Sequence, residues 1–518
     1  MAVLDVLVLG GGLAGSLLAR QLRLHQPDRS VGLVEPRVQP RRKVGESMVE
    51  LGADYLNRRL GLSGLLYREH LPKQGLRFFF DTADRSLPVH RLSEIGIPGF
   101  AVHPSFQVDR ARLDATLLQD NIARGVADWR GWRVEGVRIG TPHEVVVERE
   151  GHRSTIRARW VVDATGRRRL LGRQLGLVRP APEHAMSAAW CRVEDVAELE
   201  AQGNDAWRAR WLHSCRDLAT CHWMQDRSWT WLIPLRSGLS SIGVVCEPHL
   251  WHRGLGTRDG LLGHFRQTIS LRQLLERARV VDIGTGRALA SGTTRYVSAR
   301  RWAVVGEAAG FTDPLFSPGT DHIAWHNDLV SDLIRRDFSE PDLRPHAHRI
   351  DALLQHQWRL SMGSAVGQYA HLASYDLRRL RYVYDVFNYF NGLSAWLRDD
   401  HLRPAWQTAV LEQAPVAERS HNEIGRLFTA LADQLRRDGR LFEGNADAWD
   451  EGLFDWNLQR SLPRRSPHQE VRLARRLFAG VRKHLTRALQ DGWRKPPGTG
   501  WLAQLYTQLR LEADLKPG

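Results

Sequence analysis

Four short apolar runs, each ending in a glycine turn or an acid, set the architecture that the chain predicts. Asp5 to Leu9 has strand length and runs into Gly10-Gly11-Gly12-Leu13-Ala14-Gly15, after which Ser16 to Leu22 takes helical spacing. Val31 to Glu35 is a second such strand. Trp160 to Asp163 leads into Ala164-Thr165-Gly166, and Trp302 to Val305 into Gly306-Glu307-Ala308-Ala309-Gly310. Strand, glycine turn and helix in alternation predict an α/β fold around a parallel sheet.

Between these junctions the pattern changes. From Ser187 to Val245 it takes the period of strands, and Trp229 and Trp231 in Ser228–Leu235 fall on one face. Trp129–Arg138 and Glu144–Glu150 read as weak strands. Leu76–Phe80 reads as a strand entered through Lys73 and Gly75, and Val102–Phe106 leads to a helix beginning near Asp109. Ser47 with Glu50 three residues on reads as the capping box of a helix from Met48 to Leu60. Asp321 to Arg335 has helical periodicity, and Asp337 to Gly518 is largely amphipathic helix rich in arginine and aromatic residues. Gly254 to Gly260 resembles a second glycine fingerprint, but no apolar strand precedes it, and it reads as a loop.

The 518 residues are 42% hydrophobic and 25% charged, which suits a soluble globular protein of several structural units. No apolar run approaches the roughly 20 residues of a membrane helix, and a strand starts within a few residues of Met1, so cytoplasm is the expectation. The four cysteines form no CxxC pair and read as buried free thiols, with no metal site. The net charge of +15 fits a solvated arginine-rich surface, or attraction to an acidic carrier protein or anionic substrate. The basic residues are spread along the chain without a nucleic-acid motif, so neither nucleic acid nor membrane is an expected partner.

The first glycine run carries chemistry. Gly10 permits the tight turn, Gly12 lets backbone approach a pyrophosphate, and Gly15 lets helix pack close to strand. Glu35, twenty residues past Gly15, ends a second strand where an acid takes a ribose hydroxyl. Taken singly, Lys73 reads as a solvated lysine, Trp229 and Trp231 as a core pair, and His103 as a structural histidine.

Taken together, GGGLAGS (10–16), VGES (44–47), VVDATGR (161–167) and GEAAGFTDPLFSPG (306–319) resemble the flavoprotein fold of the para-hydroxybenzoate hydroxylase type. SWTWLIP (228–234) matches the W-x-W-x-I-P signature of the flavin-dependent halogenases, and Lys73 stands in that family's Lys-x-Gly position. The resemblance covers about residues 1–335 and implies a Rossmann-like FAD-binding domain (1–186 and 281–335), an inserted mixed β-sheet substrate domain (187–280) and a helical C-terminal region (336–518). It implies FAD held by Gly10, Gly12, Leu13, Ala14, Gly15, Glu35, Ser47, Arg110, Asp163, Gly166, Gly306, Glu307 and Asp313. It further implies a halide ion near Gly319 and Thr320, and an active-site wall of Trp229, Trp231 and Phe316. The implied activity uses FADH2 from a separate flavin reductase, O2 and chloride or bromide. Hypohalous acid would then be relayed through a short tunnel to Lys73 beside a small aromatic substrate, free or carrier-tethered.

Three positions depart from the family. Phe316 stands where tryptophan-acting members carry a glutamate, as in the phenol- and pyrrole-acting branch. Pro318 lacks an N–H, and Glu307 replaces an aspartate. An FAD monooxygenase on the same fold, and a non-catalytic flavin-binding scaffold, are the alternative functions.

Overall fold

The structure is a computed structural model that describes residues 2–97, 103–211, 214–450 and 466–493. A mainly parallel sheet forms its first layer, with strands in the order Val297–Ser298 (an antiparallel edge), Trp302–Val304, His152–Asp163, Leu4–Leu9, Val31–Glu35, Ala127–Arg130. Leu9 pairs in register with Asp163 and with Val34, and Asp163 with Val304. The carboxyl ends of four strands therefore align, and the turns at Gly10, Ala164 and Gly306 open on one edge, where open α/β sheets bind ligands. The anticipated Trp129–Arg138 strand is two. Gly131 turns the chain at φ 84°, so Ala127–Arg130 joins the parallel sheet and Arg133–Arg138 joins an antiparallel meander.

The second sheet runs Arg279–Gly286, Ser187–Glu194, Ser240–Cys246, Ser228–Pro234, Thr220–Gln225, Leu76–Phe80, Ser93–Ile95, Trp449–Asp450. Its alternation sorts two cores. Phe78, Phe80, Trp229, Trp231 and Ile233 face one way, towards C-terminal helices, whereas Phe79, Trp223 and Leu232 face the other. Among the described residues of 195–219 there is no strand within the expected β run, and Asp205–Ala209 is helical.

The long helix Gly319–Asp337 leads into the C-terminal region, which is supplied by Arg344–Ala365, Tyr375–Leu397, Pro404–Arg437 and Pro467–Asp491. Arg344–Ala365 packs in the core of the parallel sheet, while Tyr375–Leu397 packs against the second sheet. The helical expectation for 451–465 and 494–518, and Val102 before the Ser105–Gln107 strand, lie outside the described residues. None of the described helices is long and apolar enough to cross a membrane. Cys191, Cys221 and Cys246 are buried free thiols, and Cys215 is half-buried.

Two local expectations are corrected. Ser47 does not cap a helix: its backbone bridges Gln107, its hydroxyl is drawn to other side chains, and helix begins only at Glu50 after an extended Val49. Residues 253–260 are not a loop throughout, since a 3-10 turn at Arg253–Gly256 passes to a helix Arg258–Arg266 capped by Thr257.

Candidate functional site

A cavity of about 980 Å³ runs from the glycine turn at Gly10 to the start of the Gly319–Asp337 helix and the indoles of Trp229 and Trp231. Gly10 has a φ of 108°, and a β-carbon there would meet the Ala164 carbonyl oxygen at 2.4 Å. Gly15 is off the wall. A β-carbon on it would lie 2.0 Å from the Gly10 oxygen, so its absence lets the helix close on the turn. Gly12 faces the cavity with Lys43 Nζ above it, 3.6 Å from where a β-carbon would sit.

Arg37, Arg41, Arg42, Lys43, Arg110 and Arg192, with Arg167–Arg169, bring nine cations to the wall against four carboxylates. That surplus favours a polyanion, and a wide, elongated cleft with a glycine-lined end and a cationic flank fits the pyrophosphate of a dinucleotide. Glu35 lies on the wall, its carboxylate oxygens accepting from the Gly11 N–H at 2.9 Å and the Arg37 N–H at 3.1 Å. Arg110 also lies there, braced by Asp114 at 3.1 Å. Leu13, Ala14, Gly166, Gly306 and Glu307 complete this half.

Two expected cofactor residues act from behind the wall. The Asp163 carboxylate accepts from the Thr165 N–H at 2.8 Å and the Leu171 N–H at 2.7 Å, which fixes the turn that carries Gly166. Asp313 accepts from His184 at 2.6 Å and from the Tyr369 hydroxyl at 3.0 Å. Tyr369 in turn accepts from the Trp229 indole at 2.9 Å. Both carboxylates are buried and spent on protein donors, so neither is free to meet a ligand. Phe316 is also off the cavity wall. At φ 69° it turns inward onto Phe78 and Tyr382, with ring centroids 5.9 and 5.5 Å apart.

At the far end stand Ser47, Thr220, His222, Ser317, Pro318, Gly319 and Thr320. Gly319 and Thr320 open a 19-residue helix, so their N–H groups have no intrahelical acceptor. Trp229 and Trp231 lie 5.8 Å apart on one strand face, as the alternation predicts. Gly243 opposite Trp231 leaves the space its indole fills.

Lys73 is not on the cavity wall. It ends the short strand Leu71–Lys73, is 3% exposed, and donates to Ser47 Oγ at 2.9 Å and the Met48 carbonyl at 2.8 Å. Ser47 Oγ accepts also from Ser317 Oγ at 3.0 Å and lies 2.9 Å from Thr220 Oγ1. One hydroxyl thus separates Lys73 from the cavity. Burial lowers the Lys73 pKa to about 8 against the opposing pull of Glu50 and Asp321. Burial raises Asp321 to about 8, its carboxylate accepting from the Gly52 N–H at 2.8 Å. His222, whose ring stacks on Phe78 at 4.6 Å, is held neutral by burial, its pKa lowered to about 3.

Sequence reading missed Thr220, His222, Ser317 and Lys43. Thr220 and His222 sit two apart on one strand, a spacing visible in the chain, but their place beside Lys73 depends on pairing with Leu76–Phe80 across more than 140 residues. Lys43 belongs to a run of basic residues in which nothing local marks one member as facing the glycine turn.

Residues 82–352 match the family model described as tryptophan halogenase. A flavin-dependent halogenase of Dictyostelium discoideum, chlA, is 25% identical over 447 residues, 77% of this chain and 72% of the relative. The 1H-pyrrole-2-carbonyl-[peptidyl-carrier protein] chlorinase of Pseudomonas fluorescens is 27% identical over 376 residues, 65% of this chain and 78% of the relative. The fold is similar to that of the solved halogenase PltM, with a TM-score of 0.67 and 16% identity, covering 99% of this chain and 97% of the other. The matched stretch holds the tryptophan pair and the Gly306–Thr320 segment but begins after Lys73.

Proposed function

The chain belongs to the tryptophan halogenase family, and from that premise we propose that it installs chlorine or bromine on an electron-rich aromatic ring, with Lys73 presenting the oxidised halogen. It is a flavin-dependent halogenase, and FAD is its cofactor. Reduced flavin, when bound, would supply the two electrons that take one oxygen atom of O2 to water, while the other oxygen atom oxidises halide to hypohalous acid. Gly10, Gly12 and the cationic flank from Lys43 to Arg192 would hold the pyrophosphate, Glu35 the ribose, and Gly306 and Glu307 the ribityl chain. The free first-turn amides of Gly319 and Thr320 receive the halide. Trp229 and Trp231 wall the cavity, with Phe316, Asp313 and Asp163 acting from behind it.

One observation carries the role of Lys73: its ammonium is buried one hydroxyl away from the cavity, on the hub formed by Ser47, Thr220 and Ser317. With a pKa of about 8 the group is mostly protonated at neutral pH. It therefore donates to the oxygen of hypohalous acid and leaves the halogen as the electrophilic end. The carbon–halogen bond forms as the oxygen–halogen bond breaks, and the ring proton and released hydroxide leave as water. No carboxylate lies within ion-pair distance of Lys73 among the described residues, so the ring must be activated by its own hydroxyl or nitrogen. That supports a phenol, pyrrole or indole as substrate, and the Pseudomonas relative's name, a pyrrole-carbonyl carrier-protein chlorinase, extends the proposal to tethered substrates. A separate flavin reductase completes the proposed system.

The test is mass spectrometry of products made with FAD, a flavin reductase, NADH, O2 and bromide across phenols, indoles and pyrroles. Brominated product, lost in Lys73→Ala, is the expected result. Oxygenated product alone, or bromination that survives in Lys73→Ala, overturns it.

A further inference from the structure

Among the described residues four arginines are fully buried: Arg77, Arg216, Arg378 and Arg381. Arg77 and Arg216 share Glu94, and Arg381 holds Asp385. Arg378, on the Tyr375–Leu397 helix, has no carboxylate within 4.0 Å among the described residues. A buried unpaired charge is costly unless something compensates it. The faces of its guanidinium meet the rings of Tyr382 at 4.5 Å and Phe316 at 5.6 Å. Such contacts satisfy the plane and leave the in-plane N–H groups unmet.

The unmet groups form a pattern. Arg378 Nη1 lies 3.5 Å from His371 Nδ1, whereas Nε and Nη2 have no partner. Those two nitrogens form one edge of the fork, with parallel N–H bonds, and Arg216 uses that same edge to hold both oxygens of Glu94 at 2.9 Å. His371 Nε2 is likewise buried and unpartnered, and the Tyr382 hydroxyl, also buried, has only Arg378 itself beside it. With burial and two nearby arginines holding His371 neutral, and Nδ1 turned to Arg378, its Nε2 carries the proton. All the unpartnered groups can therefore donate.

The cluster lies one ring from the proposed chemistry. Phe316 separates it from Ser317, which bonds the Ser47 that holds Lys73. Phe78 touches Tyr382 at 4.5 Å on one side and His222 of the cavity wall at 4.6 Å on the other.

We propose that the Nε/Nη2 edge of Arg378, flanked by His371 and Tyr382, binds the carboxylate of an aromatic acid substrate. The arene of that substrate then lies against the Phe78–Phe316 layer facing Lys73. This rests on the reading that Lys73 delivers the halogen, and it narrows the substrate class to aromatic acids.

The test is calorimetric binding of 2,4-dihydroxybenzoate and its amide, 2,4-dihydroxybenzamide, to the FAD-loaded full chain, in wild type, Arg378→Met and Arg378→Lys. Wild type is expected to favour the acid by ten- to hundredfold, the range for a hydrogen bond to a charged group. Arg378→Met is expected to lose that preference, the acid losing far more affinity than the amide, and Arg378→Lys to fall between. The ligand-free melting temperature of Arg378→Met should equal or exceed that of wild type, since an uncompensated buried charge is removed. A wild type that binds neither probe or shows no preference, or a preference that persists in Arg378→Met, overturns the proposal. So does a lower melting temperature with both affinities lost, which marks a structural arginine, or a change confined to bromide dependence, which marks a halide site. Binding needs no turnover, so a failure of the Lys73 reading would appear separately, as a wild type that prefers the acid and never brominates.

Discussion

Lys73 Nζ donates to Ser47 Oγ at 2.9 Å, and that oxygen also receives Ser317. A serine hydroxyl accepts two hydrogen bonds and donates one. With Thr220 beside it at 2.9 Å, Ser47 is saturated. The lysine is thereby fixed at the one place where strand Leu71–Lys73, the Thr220–Gln225 strand and the Phe316–Thr320 turn meet.

Ser47→Ala should leave the Lys73 ammonium, Thr220 and Ser317 each short of a partner inside the protein. A cost of about 1–3 kcal/mol in stability is expected, read by denaturant titration. Losing an acceptor also disfavours the charged amine, so the alkaline limb of the bromination pH profile should move to lower pH. A limb that stays put would show that the hydroxyl does not tune Lys73.

Lys73→Met should lower bromination by at least a hundredfold, within the range for a positioned proton donor, with FAD titration unaltered. In wild type the rate should fall as pH rises through about 8, where the ammonium is lost. A rate that rises through the same range would favour a neutral amine as the halogen carrier.

Asp321 carries a pH signature in stability. Its folded pKa of about 8 lies above the ordinary carboxylate value, so the folded state holds a proton that the unfolded chain gives up between about pH 4 and 8. Stability from this group is full below pH 4 and falls as pH rises towards 8. Asp321→Asn retains an acceptor for the Gly52 N–H, so its melting temperature should gain on wild type across that interval and match it near pH 4. A constant difference between the two would place the titration elsewhere.

Gly12 and Gly15 should fail in opposite ways. Gly12 has an ordinary φ of −72° and no protein atom closer than 3.6 Å to an added β-carbon. Gly12→Ala should melt like wild type yet bind FAD at least tenfold more weakly, because the methyl group fills the path of the pyrophosphate. Gly15→Ala must push the helix off the turn, 2.0 Å from the Gly10 oxygen, and should lose several degrees in melting temperature. Melting curves with and without FAD separate the two.

The sequence by itself determined the parallel strands and their glycine turns, because each is a local alternation of apolar run, glycine and helix. It also placed Trp229 and Trp231 on one face, since side chains on a strand alternate with period two. Lys73 was legible only through a motif. Its strand has three residues, and its neighbours Ser47, Thr220 and Ser317 come from elements 26, 147 and 244 positions away. Tertiary structure alone decided that Ser47 is a hub and not a helix cap, because the demand of a buried ammonium for an acceptor outweighed the local capping pattern. It alone decided that Asp163 and Asp313, which the chain presents as ligand acids, are spent on Thr165, Leu171, His184 and Tyr369. And it alone exposed Arg378, one arginine of many in a helical stretch, as the fully buried guanidinium that the fold leaves without a counter-ion among its described residues. Local spacing fixes what an element is; which partners a polar group finds depends on contacts between distant segments, and those form only when the layers pack.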